Sequence, residues 1–251
     1  MGDLILVKVG GAELQEGPEL ATLVEVLARL ARQRPLVVVH GGGPEIAALQ
    51  ERLGLQPRFV EGLRVTDEAS LWVAEMVLSG AVNKRLVARL VAQGVRAMGL
   101  SGVDAGLLRA KTLVHPQGDL GRVGEITAVD AACLQQLLSL GLTPVISPIS
   151  LGEDGRALNV NADHAALAIA GALKVAEAVF LTNVPGVLRG GALMDALRAE
   201  EAEHLIATGE ISGGMIPKVR SALEAIAAGV GAVRITDLAG FARGSGTRVL
   251  A

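Results

Sequence analysis

Short apolar runs alternate along the chain with longer amphipathic segments. The short runs are nearly continuous in Val, Ile and Leu, which is typical of parallel strands buried on both faces. These predicted strands are residues 4–9, 35–40, 144–149, 176–184 and 232–236. Between them, apolar residues recur at helical spacing, which predicts helices over residues 19–33, 69–94, 131–141, 163–173 and 218–229. The alternation of the two patterns predicts a layered α/β fold.

Residues 100–128 differ from the rest of the chain. They are rich in glycine with short polar–apolar alternations, which predicts hairpins or an irregular insertion. The chain shows no internal repeat, linker or low-complexity segment. We therefore expect two lobes that share one sheet, an N-terminal lobe of residues 1–175 and a C-terminal lobe of residues 176–251.

Composition removes several classes of function. With a net charge of −3, no Tyr and 3 Phe in 251 residues, the chain has neither the basic surface nor the aromatic platform of a nucleic-acid binder. It has no apolar run of about 18 residues, so no membrane span is expected. The single cysteine, Cys133, and the scattered histidines predict no disulfide and no metal site. No signal peptide precedes the first strand, and a cytoplasmic location is expected.

Two glycine turns follow two predicted strands. Lys8 ends the first strand just before Gly10 and Gly11, and residues 41–43 are three glycines that follow the second strand. A single glycine turn of this kind is at least as often a tight strand–helix connection as an anion-binding site. Two turns, one with a lysine, favour an anion site built from backbone N–H groups. The second turn is not a dinucleotide fingerprint because Ile46 stands in place of the third glycine, and no Walker loop is present.

Polar residues cluster at two later points. Asn159, Asn161 and Asp163 alternate just before an Ala-rich segment, where Asp163 is either a helix cap or part of a ligand site. Lys218 follows a glycine pair at the start of a predicted helix. Residues 180–187, "FLTNVPGV", are read as a strand followed by either a simple loop or the rim of a nucleotide site.

Taken in order, these segments resemble the amino-acid kinase superfamily and, within it, the N-acetylglutamate kinases. The resemblance covers residues 4–250 and rests on "KVGG", "VVVHGGGPEI", "GLRVTD", "GLSGVD", "LNVNADHAALAIA", "FLTNVPGV", "GGMIPKV" and "GTRVL". It implies a three-layer αβα sandwich with a mainly parallel central sheet. It also implies ATP-dependent phosphorylation of the γ-carboxylate of N-acetyl-L-glutamate, a step of arginine biosynthesis.

The resemblance assigns roles to individual residues. It implies that Lys8 and Lys218 stabilise charge on the transferring phosphoryl group and that Asp163 organises the two lysines. Residues matched to the acetylglutamate site are Gly11, Gly42, Gly43, Arg64 and Asn159, with Arg64 gripping the α-carboxylate. Residues matched to the nucleotide site are Gly10, Asn183, Gly186, Val187, Leu188, Glu210, Ile211 and Ser212. Asn183 stands where some members carry Asp.

The implied chemistry needs no general base, because a carboxylate nucleophile is already ionised at neutral pH. We expect Mg²⁺ to arrive with ATP, and we expect a homodimer formed through the N-terminal lobe. Because the first strand begins by Leu4 and leaves no room for an N-terminal helix, arginine insensitivity is also expected.

Two alternatives stay open. One is a related kinase of the superfamily, in particular one of the aminoadipate type, although "GLRVTD" favours acetylglutamate. The other is a non-catalytic nucleotide- or oxyanion-binding protein on the same fold, which the retention of both Lys8 and Lys218 disfavours.

Overall fold

A mainly parallel sheet forms the middle layer of the protein in the computed structural model, which describes residues 3–251. The strands are β1 (Ile5–Val9), β2 (Leu36–His40), β3 (Phe59–Val60), β4 (Leu63–Arg64), β5 (Ala97–Gly102), β6 (Leu108–Thr112), β7 (Val123–Val129), β8 (Thr143–Gly152), β9 (Ala157–Val160), β10 (Glu177–Leu181), β11 (Leu188–Arg189), β12 (Ala192–Leu193), β13 (Ala196–Arg198), β14 (Val233–Thr236) and β15 (Thr247–Leu250). The main sheet has the order β13-β15-β14-β10-β1-β2-β8-β6-β7-β9, with β5 also paired to β8. Strands β3–β4 and β11–β12 form two separate hairpins.

Helices cover both faces of this sheet. They are α1 (Pro18–Gln33), α2 (Gly43–Arg52), α3 (Glu68–Glu75), α4 (Asn83–Ala92), α5 (Ala131–Ser139), α6 (Ala162–Leu173), α7 (Ala199–Ala207), α8 (Met215–Ala227) and α9 (Leu238–Arg243). Alternate residues of β1 point to opposite layers, so that Leu6 packs in one buried cluster and Val7 in the other. Three layers result, which confirms the expected αβα sandwich with a mainly parallel sheet.

The predicted strands and helices all exist, with two corrections. The strand predicted over 176–184 ends at Leu181, because the following turn contains Pro185, which has no N–H, and Gly186 at φ +147°. The helix predicted over 69–94 is not a regular α-helix throughout. A π-helical stretch, Met76–Val82, joins α3 to α4 and contains the Ser79–Gly80 pair. The glycine-rich stretch after residue 100 forms the antiparallel β6–β7 pair, as expected.

Within residues 3–251, no helix combines the length and the apolar character needed to cross a membrane.

A buried pair, His40 and Asn83, joins the end of β2 to the start of α4. His40 Nδ1 lies 2.9 Å from Gly41 O and can only donate to it, and Asn83 Nδ2 lies 3.0 Å from His40 Nε2. The same Asn83 amide donates to Val145 O at 2.9 Å. The imidazole therefore accepts at Nε2 and is neutral. Burial, helped by the nearby charges of Lys84 and Arg85, lowers the pKa of His40 from 6.5 to about 4.

This pKa predicts a pH dependence of folding. Between pH 6.5 and about 4, the unfolded chain binds a proton at His40 that the folded protein excludes. The free energy of unfolding is therefore highest above pH 6.5, where His40 is neutral in both states. It falls by about 3 kcal/mol in all as the pH drops through this window. Urea unfolding between pH 7.5 and 4.5 should show a shallower loss of stability in His40→Asn than in the wild type. Exposed His204, changed to Asn, is the matched control. Equal slopes for the wild type and His40→Asn would contradict the assignment.

Candidate active site

Two cavities meet at the carboxyl ends of the central strands, and Lys8 and Asp163 line both of them. The first, which we name the α8 cavity, has a volume of about 330 Å³ and lies among the ends of β1, β10 and β14 and helices α6 and α8. The second, which we name the glycine cavity, has a volume of about 280 Å³ and is lined by the two glycine turns and the β3–β4 hairpin. Ligands of open α/β sheets bind at this edge.

An ion pair joins the residues that the cavities share. Lys8 Nζ lies 2.8 Å from Asp163 Oδ1, and the lysine side chain is only 12% exposed. The carboxylate is available because Asn161, and not Asp163, caps α6, its Oδ1 accepting from the N–H groups of Asp163 at 2.7 Å and His164 at 3.4 Å. The interpretation of Asp163 as a cap is therefore wrong, and its carboxylate holds the lysine at the wall of both cavities.

Lys218 lies in the first turn of α8 and lines the α8 cavity. Its ammonium group donates to Gly214 O at 3.2 Å. Among the described residues, Asp163 forms a salt bridge with Lys8 and none with Lys218. The structure thus brings Lys8, Asp163 and Lys218 to one cavity, with the two cations on different elements. No side chain caps the start of α8. Its first two N–H groups donate instead to the carbonyl groups of Ser212 and Gly213, at 3.3 and 3.2 Å, and Pro217 has no N–H, so Lys218 is the anion-binding group of this helix.

The glycine turns touch each other. A Cβ on Gly11 would lie 2.6 Å from Pro44 Cδ and 3.0 Å from Gly43 N, and one on Gly42 would lie 2.7 Å from Leu78 Cδ2. A side chain at Gly11 would therefore force the two turns apart, and one at Gly42 would have to displace the buried side chain of Leu78. A Cβ on Gly43 would meet nothing within 4 Å, because Gly43 faces open space where it lines the glycine cavity. No side chain caps the start of α2 here, as at α8.

Arg64 is the second cation that lines the glycine cavity, besides Lys8. It comes from β4, is partly buried, donates to Gln50 Oε1 and to Gly43 O at 3.2 Å, and lies 4.6 Å over the ring of Phe59. Burial lowers the pKa of Arg64 from its ordinary value. Within residues 3–251, no carboxylate lies within 4.0 Å of its guanidinium group. Opposite it, Asn159 donates its amide to Thr66 Oγ1 at 3.1 Å and lines the same cavity.

The residues matched to the nucleotide site lie outside the α8 cavity in the described chain. Gly10 lines the glycine cavity, and Asn183 lines a separate cavity with acidic walls. The side chains of Val187 and Ile211 are buried in the core, at 1% and 3% exposure. The remaining members of this set are Gly186, which packs against Thr247, and the exposed Leu188, Glu210 and Ser212. Their roles stay predictions.

His164 and Ser221 also line the α8 cavity, and the sequence predicted no role for either. Asn161, Phe180 and Thr182 line it too; they lie in the two segments that the sequence marked as a possible ligand site and as a possible nucleotide rim, without individual roles. Ser221 could have been found as the residue one turn beyond Lys218 on α8.

The site does not provide a metal centre of its own. Among the described residues there is no group of three or more His, Cys, Asp or Glu side chains that could hold a metal ion. Asp163 is the only carboxylate that lines either of the two cavities in this part of the chain, and it is paired with Lys8. A metal ion at this site would therefore need most of its oxygen ligands from a bound ligand.

Known proteins resemble this chain over nearly its whole length. It is 58% identical to an acetylglutamate kinase of Roseiflexus sp. (strain RS-1) over 238 residues, which are 94% of this chain and 90% of the relative. It is 53% identical to the acetylglutamate kinase of Chloroflexus aurantiacus (strain ATCC 29366 / DSM 635 / J-10-fl) over 249 residues, which are 99% and 97% of the two chains.

Solved structures and the family profile agree with these relatives. The crystal structure of smu.665 from Streptococcus mutans UA159 superposes with a TM-score of 0.82 at 31% identity, covering 100% of both chains. The profile of the Amino acid kinase family matches residues 3–237. The chain belongs to the amino acid kinase family.

Proposed function

We propose that this protein transfers the γ-phosphoryl group of ATP to the γ-carboxylate of N-acetyl-L-glutamate, giving ADP and N-acetylglutamyl 5-phosphate for arginine biosynthesis. The observation that carries the proposal is the pair of cavities that share Lys8. One has the two lysines expected for a polyphosphate, and the other has an arginine without a carboxylate partner among the described residues. The acetylglutamate kinases to which the chain is 53–58% identical support the choice of acid.

The reaction joins two anions, so charge neutralisation is its main requirement. An oxygen of the γ-carboxylate attacks the γ-phosphorus, and the bond between that phosphorus and the β–γ bridging oxygen breaks, with its electrons leaving on ADP. No proton has to be removed, because the carboxylate is ionised at neutral pH. Catalysis then depends on in-line positioning and on cations near the equatorial phosphoryl oxygens.

Lys8 serves the attacking side and Lys218 the leaving side of this transfer. Lys8 lies in the wall between the cavities, where the transferred group must pass, and Lys218 lies only in the α8 cavity. Asp163 orients Lys8 through their 2.8 Å contact. The uncapped start of α2, with the Gly43 N–H, adds a fixed donor on the side of the acid.

Magnesium fits this site as an ion carried by the nucleotide. Mg²⁺ keeps several waters and commonly binds substrate phosphates with few protein ligands. This agrees with a cavity in which Asp163 is the only carboxylate among the described lining residues. When bound, it neutralises charge on the phosphate oxygens. In this proposal Lys8 and Lys218 hold the transferring group whether or not the nucleotide carries the metal ion.

The acid occupies the glycine cavity in this proposal. Arg64 binds its α-carboxylate and Asn159 its acylated nitrogen end, while Gly11, Gly42 and Gly43 allow close approach of its γ-carboxylate to backbone N–H groups. Arg64 is well suited because none of the described carboxylates neutralises it.

The rest of the nucleotide lies toward residues 183–188 and 210–212 in this proposal. Ser212 stands two residues before Gly214 in the cavity wall, and Asn183 directly follows Thr182 in that wall. The two segments are joined by Arg189, whose Nε lies 2.8 Å from Glu210 Oε2. Gly10 contributes from the β1 side. Residues 1–175 then form the acid-binding lobe and residues 176–251 the nucleotide-binding lobe.

An acyl-phosphate assay tests the function. Hydroxylamine trapping with Mg-ATP should give product with N-acetylglutamate and far less with N-acetylaspartate, aminoadipate derivatives or free glutamate. If product were trapped only with another acid, that acid and not N-acetylglutamate would be the substrate. If no acid gave product, the proposed kinase function would be overturned.

The same assay tests the role of Lys8. Lys8→Met should lower kcat by about 10²-fold or more, because it removes a preorganised cation from the reacting group. The same change at Lys111, an exposed lysine paired with Glu125 at the surface, is the matched control.

A homodimer formed through the N-terminal lobe completes the proposal. Trp72 and Met76 are exposed one helical turn apart on this lobe, at 58% and 37%, and such apolar side chains are favoured in interfaces. Sedimentation equilibrium should give twice the chain mass of 25.7 kDa, and Trp72→Glu should shift the mass toward the monomer. A wild-type mass of one chain at micromolar concentration would contradict the dimer.

A further inference from the structure

Gln50 is a fully buried polar residue next to the substrate site that has no role in the chemistry above. It lies near the end of α2, its side chain is 0% exposed, and its Oε1 accepts a hydrogen bond from Arg64 Nη1. A buried amide is costly unless its hydrogen bonds are made. Its contacts therefore define what the residue does.

The orientation of the Gln50 amide is fixed from its other end. Nε2 donates to Ser70 Oγ at 2.9 Å, and Ser70 is itself buried in the first turn of α3. The Ser70 N–H donates to Asp67 Oδ1 at 2.8 Å, where Asp67 caps α3. Since the guanidinium group of Arg64 can only donate, it must face the carbonyl oxygen of Gln50, and the amide nitrogen is then held by Ser70.

The neutrality of Gln50 matters as much as its position. Arg64 donates to two uncharged acceptors, Gln50 Oε1 and Gly43 O, so both hold the guanidinium group without cancelling its charge. A carboxylate at position 50 would form a salt bridge with Arg64 in a buried place. The arginine would then attract a substrate carboxylate less strongly.

We propose that Gln50 is a positioning residue that sets the affinity for acids bearing an α-carboxylate, by aiming a fully charged Arg64 into the glycine cavity. This inference rests on the proposed function, since Arg64 must bind that carboxylate. Through Gln50 and Gly43 the guanidinium group is tied to both ends of α2, whose first residues form the glycine turn. The α-carboxylate is thereby held at a set distance from the turn that receives the γ-carboxylate.

The test compares two acids that differ only in the α-carboxylate. N-acetylglutamate carries it, and 4-acetamidobutanoate has the same acceptor carboxylate without it. Gln50→Met, close in volume, should raise KM for N-acetylglutamate about 10-fold, and Gln50→Glu should raise it further. The values of kcat and of KM for ATP should change less than about 3-fold, and the kinetics with 4-acetamidobutanoate should stay within about 2-fold of wild type. Gln93→Met, at an exposed glutamine, is the matched control.

A double-mutant cycle gives an independent result. If Gln50 acts through Arg64, adding Gln50→Met to Arg64→Met should cost little further kcat/KM for N-acetylglutamate. Additive losses, equal losses with both acids, or an unchanged KM in Gln50→Met would each overturn the inference. If Gln50→Met does not fold, Ser70→Ala, which frees the amide to rotate, takes its place with the same expected pattern. A wild type that is inactive on N-acetylglutamate would instead overturn the proposed function itself.

Discussion

The ion pair between Lys8 and Asp163 is the interaction on which the site depends. A lysine near the end of a central strand is buried on almost all sides and needs a partner, which the first turn of α6 provides at 2.8 Å. The helix can spare this carboxylate because Asn161 makes the capping hydrogen bonds. The pair stands in the wall between two cavities, so in the proposed reaction one cation is within reach of both the transferred group and the acid that receives it.

Backbone groups do much of the remaining work, and close packing makes this possible. The turns after β1 and β2 pack so tightly that Gly11 has no room for a side chain beside Pro44. Helix α2 starts at the glycine cavity without a side-chain cap, which leaves its first N–H group open to the cavity. Arg64 closes the other side of the glycine cavity, tied to neutral acceptors and to the face of Phe59. These features suit the proposed reaction, which needs charge neutralisation and positioning of the two reactants.

The sequence predicts the strands, the glycine turns and the main cations, because each leaves a local signal. Buried parallel strands such as β1 and β2 are continuous in Val, Ile and Leu, and the lysines stand out beside glycines. The contact between Lys8 and Asp163 joins residues far apart in the chain, and it depends on how α6 packs against β1. No local pattern shows this. Gln50 is another such case, since a polar residue on an amphipathic helix is usually exposed. The π-helical stretch before α4 is predicted as ordinary helix, because its apolar residues keep helical spacing.

The structure of the protein with ADP, aluminium fluoride, Mg²⁺ and N-acetylglutamate would show whether Lys8 lies between the nucleotide and the acid. We expect a fluoroaluminate group within hydrogen-bond reach of Lys8 Nζ, with ADP on the Lys218 side in the α8 cavity and the acid beside Arg64 in the glycine cavity. Nucleotide phosphates bound outside the α8 cavity, or a fluoroaluminate group out of reach of Lys8, would contradict this arrangement.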